Sequence, residues 1–236
     1  MKRYPILLVI IAMLALLLIS GCGQSGEGEQ EPPAQEEPER EPEEEPATDE
    51  PVSHLPGEIV EERPTGPEEF EGTIELEGME EPMKFVRTEF PEIGVATYIP
   101  KDLEVVEIEP ATTVRIVAAY GGTLPEDVYL EMDLHGPGAS LDEITASLEE
   151  RMEEDGYRID EVEDSERQYS WGIREWQFES EDRADYGEYY VGRVIFGNAG
   201  ERTLVITTHM PVEFGEGTVP RFRRVMEEMK WYLDWK

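Results

Sequence analysis

The amino-acid pattern predicts an α+β domain in which an antiparallel sheet is flanked by helices, placed behind an export signal and a charged linker. Three observations carry the prediction. Short segments rich in β-branched residues alternate apolar and polar side chains. Gly and Pro clusters separate them. The two amphipathic helices each follow a run of strands instead of alternating with strands, which favours hairpins over βαβ crossovers.

Taken in order, Lys2 and Arg3 form a short cationic start, and Ile6 through Ile19 are fourteen consecutive apolar residues. That length suits the core of a signal peptide, because a helix crossing roughly 30 Å of hydrocarbon needs about 20 residues. The run ends in Leu18-Ile19-Ser20-Gly21-Cys22, two small residues followed by the only cysteine of the chain. The stretch Ile19-Ser20-Gly21-Cys22 resembles the lipobox of bacterial lipoproteins. The resemblance implies removal of residues 1–21, acylation of Cys22 with two or three chains, palmitate among them, and attachment to the extracytoplasmic face of a cell membrane. It leaves open whether that is a Gram-positive outer face or a Gram-negative envelope. One acyl chain binds a membrane only marginally, at about 0.8 kcal/mol per buried CH₂, whereas two or three anchor stably. A single cysteine makes no internal disulfide, so the fold carries no covalent staple.

Residues 22–69 are dominated by Glu, Pro, Gly and Gln, as in Glu36-Glu37-Pro38-Glu39-Arg40-Glu41-Pro42-Glu43-Glu44-Glu45-Pro46. Such a composition offers too little apolar surface to offset ordering, so a disordered tether is expected. Frequent Pro favours extended polyproline II, stiffened by like charge, with a reach on the order of 140 Å. His54 falls in this tract and is expected to be exposed.

From Phe70 to the C-terminus, apolar residues recur without another low-complexity break, which fits one domain over residues 70–236. Gly72 to Arg87 reads as two alternating strands around a turn at Gly78. Val95 to Ile99 gives a third strand, stopped by Pro100. Leu103 to Ile108, Thr112 to Tyr120 and Val128 to Leu134 follow. Ser140 opens a helix with Glu143 as its capping-box partner, and Leu141, Ile144, Leu148 and Met152 share one face. Its opposite face, Glu149, Glu150, Glu153 and Glu154, reads as a solvated surface. Four more strands are expected at Tyr157–Val162, Gly172–Phe178, Gly187–Phe196 and Arg202–Thr208, the last two joined by a turn at Gly197-Asn198-Ala199-Gly200. A closing helix starts at Thr218 with Pro220 in its first turn and buries Phe222, Val225, Met226, Met229 and Leu233.

The segment Tyr98-Ile99-Pro100-Lys101-Asp102-Leu103, the strands after it, the helix entered at Ser140-Leu141-Asp142-Glu143, the meander and the closing helix with Trp231 together resemble the Mog1/PsbP-like α/β/α sandwich. The likeness spans about residues 70–236 and departs from the family in lacking a helix between the early strands. It implies a domain that binds proteins or ions and does not catalyse.

Acidic residues number 56 against 20 basic ones, and the formal net charge is −36. Of these, 39 acidic and 16 basic residues lie from Phe70 onward, so the folded part is itself strongly acidic. This argues against nucleic acid and anionic lipid headgroups as partners, since both demand clustered Lys and Arg, and it excludes nucleic-acid binding. Only five of the bases are Lys. The acidity has two readings, a hydrated surface suited to a saline or alkaline exterior, or divalent-cation binding.

Nucleophilic catalysis needs Ser or Cys with a base in reach, yet the region from Phe70 has no Cys, no Gly-x-Ser-x-Gly elbow and two histidines. His135 precedes Gly136-Pro137-Gly138 and His209 precedes Pro211, and neither has zinc-ligand spacing. Both read as structural. Glycosidase chemistry needs two carboxylates at a defined separation, a condition this acidic chain meets too easily to be informative. Glu181, Asp182, Asp185 and Glu188 are candidate Ca²⁺ ligands in an acidic loop that lacks the EF-hand pattern. Trp171 and Trp176, within an aromatic-rich stretch from Tyr169 to Phe196, are candidates for stacking on wall sugars, with core packing as the competing reading.

The reading is a non-enzymatic binding or assembly domain without a cofactor, anchored through lipid on Cys22 and partnered by an envelope protein. The alternatives are a cell-wall glycan or Ca²⁺-binding module and an envelope hydrolase using paired carboxylates. If the acidity is a salt adaptation, the thermal midpoint rises as NaCl goes from low to molar levels, because screening relieves self-repulsion. A midpoint that falls over that range removes the reading.

Overall fold

The computed structural model describes residues 54–118, 127–183 and 189–232. The signal segment, Cys22, the tether up to residue 53, and Leu233 lie outside them. Twelve strands and two α-helices occur among the described residues: β1 (Glu58–Ile59), β2 (Glu69–Leu76), β3 (Met79–Phe90), β4 (Val95–Pro100), β5 (Leu103–Glu107), β6 (Thr113–Ala118), β7 (Tyr129–His135), α1 (Leu141–Glu154), β8 (Tyr157–Glu161), β9 (Arg174–Arg183), β10 (Tyr189–Ala199), β11 (Arg202–Pro211), α2 (Gly215–Glu227) and β12 (Lys230–Trp231).

The strands form two sheets. One has the order β5-β6-β7-β11-β10-β9-β8, the other β1-β12-β4-β3-β2. Every ladder among the described residues is antiparallel except the short β1–β12 pair. The architecture is thus the expected α+β type, with a second sheet that the strand pattern does not separate from the first.

Alternation along the central strands explains how the layers stack. In β10 and β11, Val194, Phe196 and Val205 belong to a core shared with Ile144 and Met152 of α1 and with Trp176 and Phe178 of β9. The intervening Ile195, Leu204 and Ile206 face the main core, which includes Phe222, Val225 and Met226 of α2 and Val95 and Ile99 of β4. Period-two alternation places successive side chains on opposite faces, so the larger sheet is apolar on both. α1 covers one face. α2 covers the other and also packs on β2 and β4.

α1 begins as its sequence indicates. The Ser140 hydroxyl accepts from the Glu143 amide at 3.2 Å, and the Glu143 carboxylate accepts from the Ser140 amide at 3.3 Å. α2 starts earlier than expected, at Gly215 instead of Thr218, so Pro220 sits in its second turn and removes one intrahelical bond. Packing of Phe214, Val219 and Phe222 on the main core overrides the low helix propensity of Gly215 and Gly217. The β10–β11 turn is likewise displaced. Residues 197–199, expected in the turn, pair with Leu204, Thr203 and Arg202, and the chain reverses at Gly200, whose φ is +68°.

The expected domain boundary at Phe70 needs correction, because residues 54–69 belong to the folded body. Leu55 is 3 % exposed, the Trp231 indole donates to the Pro56 carbonyl at 2.7 Å, and the amides of Glu58 and Val60 donate to the carbonyls of Met229 and Trp231. Gly57 has φ +76°, and a Cβ there would fall 2.0 Å from the Met229 carbonyl oxygen, so only glycine lets the backbones approach. His54, expected to be exposed, bridges Asn198 of β10 and is partly buried. This segment holds because Leu55 and backbone hydrogen bonds contribute what its composition lacks.

Ser140→Ala removes the α1 cap and costs about 1 kcal/mol. Thermal denaturation then shows a midpoint lower by roughly 2–4 °C for a domain of this size.

Candidate functional site

A groove runs along α2 where the larger sheet loses its double cover. It begins with a buried carboxylate. Glu175 is fully enclosed in β9. One of its carboxylate oxygens is ion-paired with Arg193 of β10, and the other accepts from the amides of Gln168 and Tyr169, at 3.1 and 3.4 Å. A buried charge is tolerated only when it is paired and hydrogen-bonded, and these bonds fix the loop before β9 to the sheet. Arg167 strengthens the hold by donating to the Gly172 carbonyl at 3.1 Å and pairing with Asp164. The Tyr169 carbonyl accepts from Gly172, and the Ile173 amide donates to Phe196.

The loop thereby becomes one wall, with α2 as the other. The first part of the groove has a volume of about 390 Å³, with Val191, Met210, Val219 and Phe222 supplying apolar surface and Gln177, Arg193 and Thr208 supplying polar groups. The second part, about 430 Å³, is bounded by Tyr169, Trp171, Arg223 and Met226 together with Pro56 and Gly57. Gln168 and Tyr169 line both parts. Volumes of this size and a mostly apolar lining with a few placed polar groups suit ligand binding. Burial pushes the Tyr169 phenol above its usual range, with Arg223 and Arg193 opposing the shift. At the mouth, Arg158 pairs with Asp160 at 3.5 Å and Glu179 at 3.4 Å, so both carboxylates there are engaged by a guanidinium.

A second polar cluster lies on the α1 face. His209 is 5 % exposed. Its Nδ1 is 2.9 Å from the Asp127 carbonyl oxygen and its Nε2 is 2.8 Å from the Tyr157 hydroxyl. Its ring stacks on Tyr129 and Tyr190, at centroid distances of 4.9 and 4.7 Å. The Tyr190 hydroxyl donates to Asp127 Oδ1 at 2.7 Å. A donor to a carbonyl at Nδ1 leaves Nε2 to accept from Tyr157, which suits a neutral imidazole. Burial lowers the His209 pKa, while the Asp127 carbonyl and carboxylate oppose the shift.

The sequence-selected residues fall as follows. Trp171 is partly buried beside Tyr169, with ring centroids 5.8 Å apart and planes at 47°, and it forms part of the groove. Trp176 is 3 % exposed and packs edge-on against Phe196 at 4.9 Å, so it offers no face to a sugar. Trp176 and Phe178 of β9 both face α1, whereas Trp171 precedes the strand and packs on the main core. Backbone at Glu181 and Asp182 lies in β9, whereas their side chains, and all of Asp185 and Glu188, lie outside what the structure describes. Among the described residues no group of His, Cys, Asp and Glu is arranged to hold a metal ion. His135 pairs with Asp133 at 3.3 Å. It stands at the opposite end of the β7–β11 ladder from His209, so the two histidines do not meet.

The groove itself was not foreseen. Its one sequence signal is a pair of opposite charges, Glu175 and Arg193, on strands that pair with each other.

No protein-family model matches the chain, and no curated protein matches its sequence. Among solved structures, it is similar to the Ran-binding protein Mog1p of Saccharomyces cerevisiae, with 12 % identity, 64 % of this chain and 96 % of that one covered, and a TM-score of 0.43. It is also similar to LpqN, involved in cell envelope biogenesis of Mycobacterium tuberculosis, with 10 % identity, 58 % and 82 % coverage and a TM-score of 0.37. A third similarity is to the cyanobacterial PsbP of Synechocystis, with 10 % identity, 63 % and 92 % coverage and a TM-score of 0.39.

Because the His209 pKa is lower in the folded chain than in the unfolded one, the unfolded state binds the proton first as pH falls. His209 therefore contributes stability that is present above about pH 6.5 and is lost as pH drops below it. Urea midpoints at pH 7.5 and pH 5 test this: the wild type loses more stability than His209→Gln over that interval. Equal losses in the two proteins remove His209 as the cause.

Proposed function

We propose that this chain is a lipoprotein held on the extracytoplasmic face of a cell membrane through Cys22, and that its domain binds a partner in the groove along α2 without transforming it. The groove carries the binding half of this reading. It has two connected parts, an apolar floor, and one wall fixed to the sheet by Glu175. A long, preformed cleft of that kind receives an extended segment at low ordering cost. The stretch Ile19-Ser20-Gly21-Cys22 carries the anchoring half. Among the described residues no helix is long and apolar enough to cross a membrane, and a lipid on Cys22 supplies attachment without one. Against the hydrolase alternative stands the engagement of Asp160 and Glu179 by Arg158 at the mouth, where an acid and base pair would need to be free to exchange protons.

Labelled palmitate enters the wild-type protein and is lost in Cys22→Ser, which leaves the membrane fraction with its urea midpoint unchanged. Val219→Trp, which fills the first part of the groove, keeps the membrane location and loses the cross-links that the wild type makes to an envelope protein. A Cys22→Ser protein that stays on membranes overturns the anchor, and Val219→Trp cross-links of wild-type strength overturn the groove.

A further inference from the structure

We propose that the half of the groove bearing Tyr169, Trp171 and Arg223 is a binding site for a uronic acid residue of an envelope glycan, that is, a sugar ring carrying one carboxylate. The proposal goes beyond the capture of a protein partner, which the first part of the groove carries at Val219.

The aromatic pair supplies the platform. Tyr169 and Trp171 both line this cavity of about 430 Å³, with ring centroids 5.8 Å apart and planes inclined at 47°. The indole is seated against Gly197, where a Cβ would fall 3.2 Å from the ring, and Glu175 holds the Tyr169 amide. Both rings are therefore in place before a ligand arrives, which lowers the ordering cost of binding. The face of an aromatic ring is electronegative and attracts the weakly positive C–H groups on one side of a sugar ring. Beside the rings, the exposed side chains of Gln168 and Ser170 offer donors and acceptors to hydroxyl groups. A purely aliphatic ligand has no use for these groups, whereas a sugar meets both kinds of surface.

Charge selects among sugars. Of the arginines that line the groove, Arg158 and Arg193 are engaged by carboxylates of the chain. Arg223 is exposed, contacts the Tyr169 hydroxyl, and has no ion pair among the described residues, in a chain with 56 acidic residues. Glu227, also on this cavity wall, lies 3.8 Å from Arg224, so its charge is compensated. A guanidinium receives a carboxylate through two parallel N–H···O bonds. Because Arg223 stands at the rim of the Tyr169 ring, a carboxylate attached directly to a sugar ring reaches it while that ring lies on the aromatic pair. One carboxylate needs one guanidinium, unlike nucleic acid or a lipid surface, which need basic clusters. Repulsion from the rest of the acidic domain is screened beyond about 10 Å at 0.1 M salt, while a contact pair persists.

The test titrates the full chain in detergent and 0.1 M NaCl with methyl glucuronide and with methyl glucoside, which differ only in a carboxylate against a hydroxymethyl group. Methyl glucuronide shifts the Trp171 indole N–H resonance and the amides of residues 168–171 and 223 saturably, with a dissociation constant in roughly the millimolar range. Methyl glucoside binds about tenfold more weakly, for want of a charged hydrogen bond. Arg223→Gln lowers the glucuronide affinity to that of the glucoside and leaves glucoside binding and the urea midpoint unchanged. Absence of shifts with methyl glucuronide overturns the proposal. Equal affinity for the two sugars, or a preference that survives Arg223→Gln, overturns it as well. Acetyl-glutamyl-amide binding as tightly as the glucuronide assigns the cleft to an acidic peptide and overturns the sugar. The cross-links of Val219→Trp report on the first part of the groove, so failure here leaves the capture of a protein partner to be judged by them.

Discussion

The structure depends on one constraint, the burial of the larger sheet on both faces. Val194, Ile195, Phe196, Leu204 and Ile206 are each almost completely removed from water, and every such side chain is worth about 1.5–3 kcal/mol relative to exposure. Neither face is viable alone, so α1 must close one side and α2 the other. The second sheet then follows, because α2 presents apolar side chains in two directions and its far side needs β2 and β4. The strap from His54 to Val60 completes the enclosure over Trp231, whose indole is fully buried and would otherwise leave its N–H unpaired.

The groove arises where this double cover gives out. Toward β8 the larger sheet extends past the reach of α2, and polar side chains replace aliphatic ones on the uncovered face: Gln177, Arg193 and Thr208. A surface of that kind is useful only if its walls stay in place. Glu175 supplies the rigidity by holding the Gln168 and Tyr169 amides and Arg193 at once. A carboxylate buried at such cost makes sense as a positioning group. The same economy recurs around His209, which ties Asp127 and three tyrosines into one cluster on the α1 face, Tyr129 and Tyr190 stacked on its ring and Tyr157 edge-on to it.

Much of the fold was legible in the residues. The alternation Tyr129 to His135, the capping box at Ser140 and Glu143, and the apolar periodicity of α2 rest on contacts between residues close in sequence, so local pattern sufficed. The errors share a cause. The segment His54–Glu69 is polar and proline-rich by composition, yet Leu55, Gly57 and the backbone around Pro56 meet Met229 and Trp231, more than 170 positions away. α2 begins before Thr218 because Phe214 and Val219 find a core to pack on. For the site, Trp171 was picked out together with Trp176, and nothing nearby in sequence distinguishes them. One borders the groove because Gly197 gives its ring a seat; the other is enclosed because α1 covers it.

By itself the sequence determined the acidity, the small-residue stretch ending at Cys22, the proline-rich linker composition and the order of most strands and helices, since each is a property of single residues or short windows. Tertiary structure decided the division into two sheets, the inclusion of the His54 strap and the groove along α2. Those depend on which surfaces meet, and the energy that selects them comes from side chains such as Glu175, Arg193, Trp171 and Trp231 acting across long sequence separations.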